Sequence, residues 1–242
     1  NAFIKIPKPN WRIRYDGLSK IPKVKKYFTK VTLSHAYRSS FNMSTYTTNL
    51  LYEDESSGSG KEYTTERDAN GNYIAKHEIN QISISEQFSP LIKIDMKWRN
   101  SPLITNFEIK KTRNLSMNFT NNQLTEVRGN EVIIGAGYRF KDLEIPLKIG
   151  GVKKKLKSDL VIDAKFSIRD NKTIIRKLVE GTNTPLSGMK IISIKATADY
   201  VINKRFNIRF FYDKIINKPF VSSSFPNSNT NIGFTIRFTL AA

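Results

Sequence analysis

The sequence predicts an all-β protein built from the antiparallel strands of a transmembrane β-barrel. Three observations predict this class. Apolar and polar residues alternate with a period of two, several alternating stretches reach about ten residues, and the connections form a short and a long group. Soluble strands usually have about 5 to 6 residues, whereas a tilted strand needs roughly 9 to 11 to cross a bilayer. Length and alternation together therefore favour strands that cross a membrane.

The composition fits one architectural unit, residues 1–242, which we expect to be a C-terminal segment of an outer-membrane barrel. Hydrophobic residues make up 39% of the 242 residues, and no stretch approaches the roughly 18 consecutive apolar residues of a transmembrane helix. Barrel strands escape such a search because their alternation makes them polar on average.

The last strand shows the alternation most clearly. Phe234, Ile236, Phe238 and Leu240 share one face, and Thr235, Arg237 and Thr239 share the other. The same pattern predicts about eleven strands, near 10–16, 28–48, 75–88, 91–99, 103–120, 123–141, 158–169, 172–179, 189–202, 205–215 and 231–240.

The predicted connections sort by length if the last strand ends in the periplasm. The inner turns are then Asn203-Lys204, Asp170-Asn171, Asn121-Asn122 and Ser89-Pro90, and the outer loops are 216–230, 180–188, 142–157 and 49–74. Only 100–102 and 17–27 break this alternation. Aromatic residues agree with it, because Trp98, Phe140 and Tyr212 fall at predicted outer strand ends and Tyr200, Phe206 and Phe238 near inner ends.

The charge is strongly basic, with 40 Lys and Arg against 21 Asp and Glu. Many of these cations occur singly at alternate strand positions, which favours the wall of a watery lumen over a nucleic-acid-binding patch. The predicted lumen-lining residues are Lys93, Lys97, Arg99, Arg139, Lys165, Arg169, Lys195, Arg209 and Arg237. The predicted lipid-facing residues are Ile94, Trp98, Phe166, Tyr200, Phe206, Phe234 and Phe238. The alternative is that these cations only keep the interior wet and pair with Asp95, Asp163, Asp199 and Asp213.

One stretch conflicts with the simple pattern. In 103–120, Lys111 and Arg113 share parity with apolar residues, and a charge that faces lipid at mid-depth costs roughly 2 to 4 kcal/mol. A bulge that switches faces, or a protein partner over that wall, would relieve the conflict.

The odd number of predicted strands indicates that further strands precede Asn1. Bacterial single-chain barrels have an even strand number, and an unpaired strand leaves backbone groups without partners in lipid.

Four segments carry a resemblance to a known family: 9–18, which reads Pro-Asn-Trp-Arg-Ile-Arg-Tyr-Asp-Gly-Leu, 88–92, 115–119 and 135–140. They resemble the C-terminal region of the SprA/Sov family, the large outer-membrane translocons of the type IX secretion system in Bacteroidetes, which are also linked to gliding motility. The likeness covers essentially the whole chain, although its motifs are strand sequences and family barrels are far longer than 242 residues.

The resemblance implies a location in the cell outer membrane and a role in exporting folded proteins through a lumen. It implies as partners the outer-membrane lipid, the rest of the barrel chain, shuttle and plug proteins of the secretion system, and secreted cargo, but no nucleic acid.

No residue pattern predicts chemistry, so we expect neither an enzyme nor a cofactor. The chain has no cysteine, and its two histidines are His35 and His77. Ser34 and His35 point to opposite faces of a strand, which speaks against a catalytic pair. The run 66–72 lacks the later glutamate of a calcium loop, and Gly150-Gly151 lacks the spacing of a phosphate-binding loop. No catalytic or metal residue is therefore predicted.

Two other functions stay open at this point. A self-contained barrel of about ten to twelve strands acts as a porin or surface protein. A soluble β-sandwich that binds polyanions is the third possibility.

Overall fold

The fold is a single antiparallel β-sheet. The computed structural model describes residues 9–55, 64–149, 152–203, 206–220 and 225–238. Nine strands in this part of the chain lie side by side in sequence order. They are β1 (Trp11–Tyr15), β2 (Phe28–Thr48), β3 (His77–Trp98), β4 (Leu103–Asn118), β5 (Gln123–Ile149), β6 (Val152–Lys177), β7 (Thr182–Asn203), β8 (Phe206–Pro219) and β9 (Asn227–Phe238). The predicted all-β class is confirmed.

Helical structure in the described residues is confined to the connection between β1 and β2. A 3-10 turn covers Gly17–Lys20, and a short helix, α1, covers Pro22–Tyr27. None of the described helices is both long and apolar enough to cross a membrane.

The sheet is open at both edges. Within the described residues, β1 pairs only with β2 and β9 pairs only with β8. The nine described strands therefore form an open sheet rather than a closed barrel of their own.

The prediction of about eleven strands was wrong, because two predicted turns lie inside strands. Predicted strands 75–88 and 91–99 are one strand, β3, and predicted strands 158–169 and 172–179 are one strand, β6. Most strands therefore have more than 20 residues, well beyond the roughly 9 to 11 that a bilayer crossing requires.

Ser89-Pro90 is a bulge in β3 instead of a turn. The register between β3 and β4 shifts between Phe88 and Ile92, and β2 shifts between Ser34 and Tyr37 at the same level. Proline has no N–H to donate, so a bulge accommodates it without loss of a ladder hydrogen bond.

Asp170-Asn171 is held in an extended conformation by its two neighbouring strands. Asp170 pairs with Asn130 of β5 and Lys190 of β7, and Asn171 pairs with Gly129 and Met189. Pairing on both sides outweighs the intrinsic turn preference of these residues.

The merged strands reverse the direction assigned to β4 and β5, so predicted connections 100–102, 121–122 and 142–157 move to the opposite end of the sheet. The strands that flank the predicted outer loops 49–74, 180–188 and 216–230 still meet at the predicted end. We name the end of the sheet where β9 terminates the lower rim and the opposite end the upper rim. The connections 16–27 and 99–102 lie at the lower rim, where β5 and β7 also end and β6 and β8 begin. The connections 119–122 and 178–181 lie at the upper rim, where β2 and β8 also end and β3 and β9 begin. Predicted outer loop 142–157 is instead the end of the β5–β6 hairpin at the lower rim, and predicted inner turn Asn121-Asn122 lies at the upper rim.

The predicted split of the aromatic residues changes for the same reason. Trp98 and Phe140, predicted at outer ends, lie at the lower rim together with Tyr200, Phe206 and Phe238. Tyr212 alone of the predicted outer group lies farther toward the upper rim.

The sheet has one layer and no conventional core. Among the described residues, only Val31, Thr32, Ala36, Tyr37, Glu126, Gly135 and Tyr200 are buried. A soluble sheet buries one face against a second layer, and the described residues provide no such layer. The packing that stabilises this sheet therefore has to come from surroundings outside the described chain.

Hydrogen–deuterium exchange of the protein tests the continuity of β6. We expect the amides of Asp170 and Asn171 to be protected as strongly as those of neighbouring strand residues, because both are paired on two sides. The turn residues 179–181 are the internal control and should exchange rapidly, whereas the N–H of Leu178 donates to the Asn122 carbonyl oxygen at 3.0 Å. Fast exchange at 170–171 would restore the turn and contradict the nine-strand architecture.

Candidate functional site

The register divides the sheet into an apolar face and a polar face. We define the apolar face as the one that carries Phe234, Ile236 and Phe238, and the polar face as the one that carries Thr235 and Arg237. Cross-strand partners lie on the same face, so the register assigns each strand residue to one of them.

The register brings the predicted lipid-facing residues together. Ile94, Trp98, Phe166, Tyr200, Phe206, Phe234 and Phe238 all lie on the apolar face. Most are partly or fully exposed, with Phe234 at 72% and Phe238 at 62%. Tyr200 is the exception, since it is buried and its hydroxyl donates to the carbonyl of Leu143.

The predicted lumen-lining residues also share one face, with one exception. Lys93, Lys97, Arg139, Lys165, Arg169, Lys195, Arg209 and Arg237 all lie on the polar face. Arg99 follows the end of β3, where its Nε donates to the Lys25 carbonyl oxygen at 2.7 Å and ties the strand end to α1.

A continuous apolar belt crosses the apolar face from β3 to β9. It consists of the apolar-face residues of 88–98 in β3, 103–109 in β4, 132–140 in β5, 160–168 in β6, 192–200 in β7, 206–212 in β8 and 232–238 in β9. In β6 the belt residues are Leu160, Ile162, Ala164, Phe166 and Ile168, with no polar side chain among them.

Aromatic residues mark both boundaries of the belt. At the lower rim Trp98 contacts Phe28, with ring centroids 4.7 Å apart. At the upper boundary Tyr37 lies between Trp11 and Phe88, at 4.5 and 4.8 Å. Two such rows are typical of side chains at membrane–water interfaces.

The upper boundary of the belt runs obliquely across the strands. The first polar side chain on the apolar face is Glu86 in β3 and Lys190 in β7, but Lys214 in β8. Residues paired across neighbouring strands form rows, and these rows serve as the reference line. Compared with them, the boundary lies two residues nearer the lower rim in β4 than in β3, and four residues nearer the lower rim in β8 than in β7. From β3 to β9 the boundary therefore falls by six residues over six strand spacings. Along the strands six residues extend about 20 Å at roughly 3.3 Å each, and across the sheet six spacings extend about 29 Å at roughly 4.8 Å each.

These lengths give the strands a tilt of about 35° relative to the belt, within the range of transmembrane barrels. The nine residues 160–168 of β6 extend about 30 Å along the strand, so the belt is about 24 Å tall after correction for this tilt. Outer-membrane barrels carry an apolar band of about 25 Å.

The polar face holds paired and unpaired cations. Arg209 binds Asp199 through two hydrogen bonds of 2.6 and 3.1 Å, Lys195 lies 3.6 Å from Asp213, and Lys93 lies 3.4 Å from Asp95. These contacts match part of the predicted pairing. Arg169 instead pairs with Glu131, at 2.9 Å, which sequence reasoning did not anticipate.

Four predicted lumen residues have no carboxylate partner among the residues that the structure describes: Lys97, Arg139, Lys165 and Arg237. Lys165 lies directly opposite Lys195 in the β6–β7 ladder. Like charges in this position repel each other unless water screens them, so the polar face fits a hydrated surface.

A carboxylate with three arginine partners lies on the apolar face above the belt. Glu126 has a fully buried side chain. It accepts hydrogen bonds from Arg113, Arg128 and Arg176 at 2.7, 2.6 and 2.7 Å. Arg113 and Arg128 are direct cross-strand partners, so their like charges would repel without the shared carboxylate.

The charge of Glu126 is stabilised by these arginines. Burial disfavours the ionised carboxylate, but the hydrogen bonds from Arg128, Arg113 and Arg176 outweigh this and lower the pKa of Glu126 to about 2. Glu126 therefore stays ionised throughout the physiological range.

The conflict at Lys111 and Arg113 has a structural resolution that neither sequence hypothesis named. Both residues do share the apolar face, but they lie above the belt, where Arg113 contacts Glu126 and lies 3.8 Å from Glu86. β4 leaves the belt after Ile109, so these charges are not at mid-depth of the apolar band.

The rejected constellations gain no support from the structure. His35 contacts the carbonyl oxygen of Leu91 at 2.6 Å, and Ser34 pairs with Lys93 on the polar face. Within the described ranges no group of three or more acidic residues or histidines is placed to hold a metal ion. Asp68 accepts hydrogen bonds from the backbone of Asn70 and Asn72, which gives 66–72 an ordinary turn. Gly150-Gly151 lies outside the described residues.

No family model matches the chain, and no curated protein matches it at a meaningful level of similarity.

Replacement of Glu126 by Gln tests the arginine cluster. Because the folded-state pKa is lowered to about 2 from 4.5, the stabilisation is complete above about pH 4.5 and is lost as the pH falls toward 2. We expect E126Q to lower the free energy of unfolding by roughly 1 to 3 kcal/mol at pH 7. The difference from the parent protein should shrink steadily in acid, measured by denaturant unfolding in detergent.

Glu78→Gln is the control, because Glu78 is an exposed glutamate of β3. It should leave the stability almost unchanged at every pH. A loss for E126Q that is the same at pH 3 and pH 7 would contradict the proposed charge interaction.

Proposed function

We propose that this chain forms part of the wall of a large outer-membrane β-barrel, with the apolar belt in lipid and the polar face along a water-filled lumen. The observation that carries the proposal is the belt itself, whose height of about 24 Å and tilt of about 35° both fit a bilayer. An uncovered apolar surface of this extent is unfavourable in water, and lipid removes that cost.

The open edges support a barrel larger than nine strands. β1 and β9 run in the same direction, so direct closure between them would need a parallel pair. Bacterial single-chain barrels are antiparallel throughout and have an even strand number. We infer that an odd number of additional strands completes the ring.

Within this class we propose a protein-conducting channel of the SprA/Sov type, which exports folded proteins in type IX secretion and contributes to gliding motility. The resemblance of segments 9–18, 88–92, 115–119 and 135–140 to that family supports the choice, and so does the hydrated, cationic polar face. The proposed partners are the rest of the barrel, shuttle and plug proteins, and cargo. No step requires a cofactor or chemistry by this chain.

Site-directed spin labelling tests the membrane orientation. The chain has no cysteine, so single cysteines introduced along β6 and β7 of the whole protein report each position separately. At Ala164, Phe166 and Ile194 we expect the label to be more accessible to oxygen, which concentrates in lipid, than to a water-soluble nickel complex. At Lys165 and Lys195 we expect the reverse, because they lie on the polar face.

Labels at Asn130 and Asp170 mark the upper boundary and should be accessible mainly to the nickel complex. If accessibility does not alternate with a period of two in detergent-free bilayers, the membrane wall is wrong, and a soluble β-sandwich becomes the better explanation.

Site-specific photocrosslinking in the whole protein distinguishes a translocon from a porin. A benzophenone amino acid at Lys165 or Lys195 should crosslink to secreted proteins during export, because both positions line the proposed lumen. The same amino acid at Phe166 or Ile194, one position away on the opposite face, should not crosslink to cargo. An intact, folded barrel that captures no polypeptide from its polar face would point to a solute channel.

A further inference from the structure

We propose that the cations just above the apolar belt bind phosphate groups of lipid headgroups in the adjacent leaflet. This inference rests on the proposed membrane orientation and adds a specific ligand to it. With the end of β9 placed in the periplasm, as in the sequence analysis, the leaflet is the outer one, and the ligand is a phosphorylated lipid. We name this surface the basic girdle: Lys111, Arg113, Arg128, Lys172, Arg176, Lys190, Lys214 and Lys218.

The girdle follows the upper boundary of the belt over five strands, β4 to β8. Lys111 is the next apolar-face residue after Ile109, Lys190 the next before Ile192, and Lys214 the next after Tyr212. In the proposed orientation Lys111, Lys190 and Lys214 therefore lie at the level where hydrocarbon gives way to headgroups. The remaining girdle cations lie at the second to fourth apolar-face position above the belt.

The charge of the girdle is not balanced within the protein. Its eight cations face three carboxylates on the same surface, Glu86, Glu126 and Asp170, which leaves a formal excess of five positive charges. Glu126 already contacts three arginines, and Asp170 lies 3.9 Å from Lys190.

Four lysines of the girdle have no carboxylate within ion-pair distance in the part of the chain that the structure describes: Lys111, Lys172, Lys214 and Lys218. Lys172 lies over the ring of Phe220, with Nζ 5.3 Å from the centroid. Lys111 and Lys172 are both exposed. Their ammonium groups are thus available to an anion from outside the chain.

A membrane phosphate fits this surface better than a soluble anion or a protein. The cations form a band parallel to the belt rather than a pocket, so the ligand has to be repeated along the band, as headgroups are. The flanking side chains below the band are aliphatic or aromatic, which suits the acyl chains that each headgroup carries.

The test compares lipid enrichment around the whole protein in phosphatidylcholine nanodiscs that contain phosphatidylglycerol as the anionic probe. Native mass spectrometry counts the phosphatidylglycerol molecules retained by the parent protein and by the double variant K111Q/K172Q. Each cation near a membrane surface contributes about fivefold to the affinity for anionic lipid, so we expect the enrichment to fall by at least about fivefold.

Two controls make the comparison specific. K97Q/K165Q removes the same charge from the polar face and should retain the full enrichment. K111R/K172R keeps the charge and should also retain it. Equal loss in K97Q/K165Q and K111Q/K172Q, or full retention in K111Q/K172Q, would overturn the girdle as a headgroup site.

Failure of the girdle can be told apart from failure of the membrane wall. A spin label at Ala164, in the centre of the belt, is measured in the same nanodiscs. If the label is in lipid but the enrichment does not depend on the girdle, only the headgroup site is wrong. If the label is in water, the membrane orientation and the headgroup site are both wrong.

Discussion

The satisfaction of backbone hydrogen bonds in a one-layer sheet is the constraint on which the rest of this structure depends. Every interior strand is paired on both sides over part of its length, so the N–H and C=O groups of these stretches have partners although few side chains are buried. Side chains are then free to differ completely between the two faces. The sequence uses that freedom to place an apolar belt on one face and charges on the other, which is the arrangement that a hydrated barrel in lipid requires.

The strands are longer than a bilayer crossing requires, so in the proposed orientation one face of the sheet contacts lipid along the belt and water above it. β4, β5 and β6 continue past the belt, and their apolar face becomes polar at Lys111, Asn130 and Asp170. The Glu126 cluster lies on this extension and joins β4, β5 and β6 through side chains as well as backbone. It joins the three strands above the level of the apolar belt.

Alternation predicted the all-β class and the grouping of residues on two faces, because the face of a residue depends on its parity and not on where the strand begins or ends. It did not predict strand number, because Ser89-Pro90 and Asp170-Asn171 have the composition of turns. Only pairing with both neighbours shows that they are extended. Each missed continuation reversed the direction assigned to other strands, which is why Trp98 and Phe140 were placed at the wrong rim. The Glu126 cluster was missed because its arginines are up to 63 residues apart in sequence, although the parity of Lys111 and Arg113 already signalled a break in the pattern.

The oblique boundary of the belt argues for a curved wall and not for a flat sheet that lies on a membrane surface. A sheet adsorbed flat would bury one whole face, so its polar residues would not interrupt that face along a slanted line. A slanted line arises when tilted strands pass through a slab of fixed thickness, and tilt of this size accompanies the register stagger of closed barrels. From β3 to β9 the boundary falls by six residues in two steps, two between β3 and β4 and four between β7 and β8, which averages about one residue per strand. In the barrel proposed above, an average stagger of this size continued through additional strands would close a ring wider than nine strands, with the cations of the polar face along its interior.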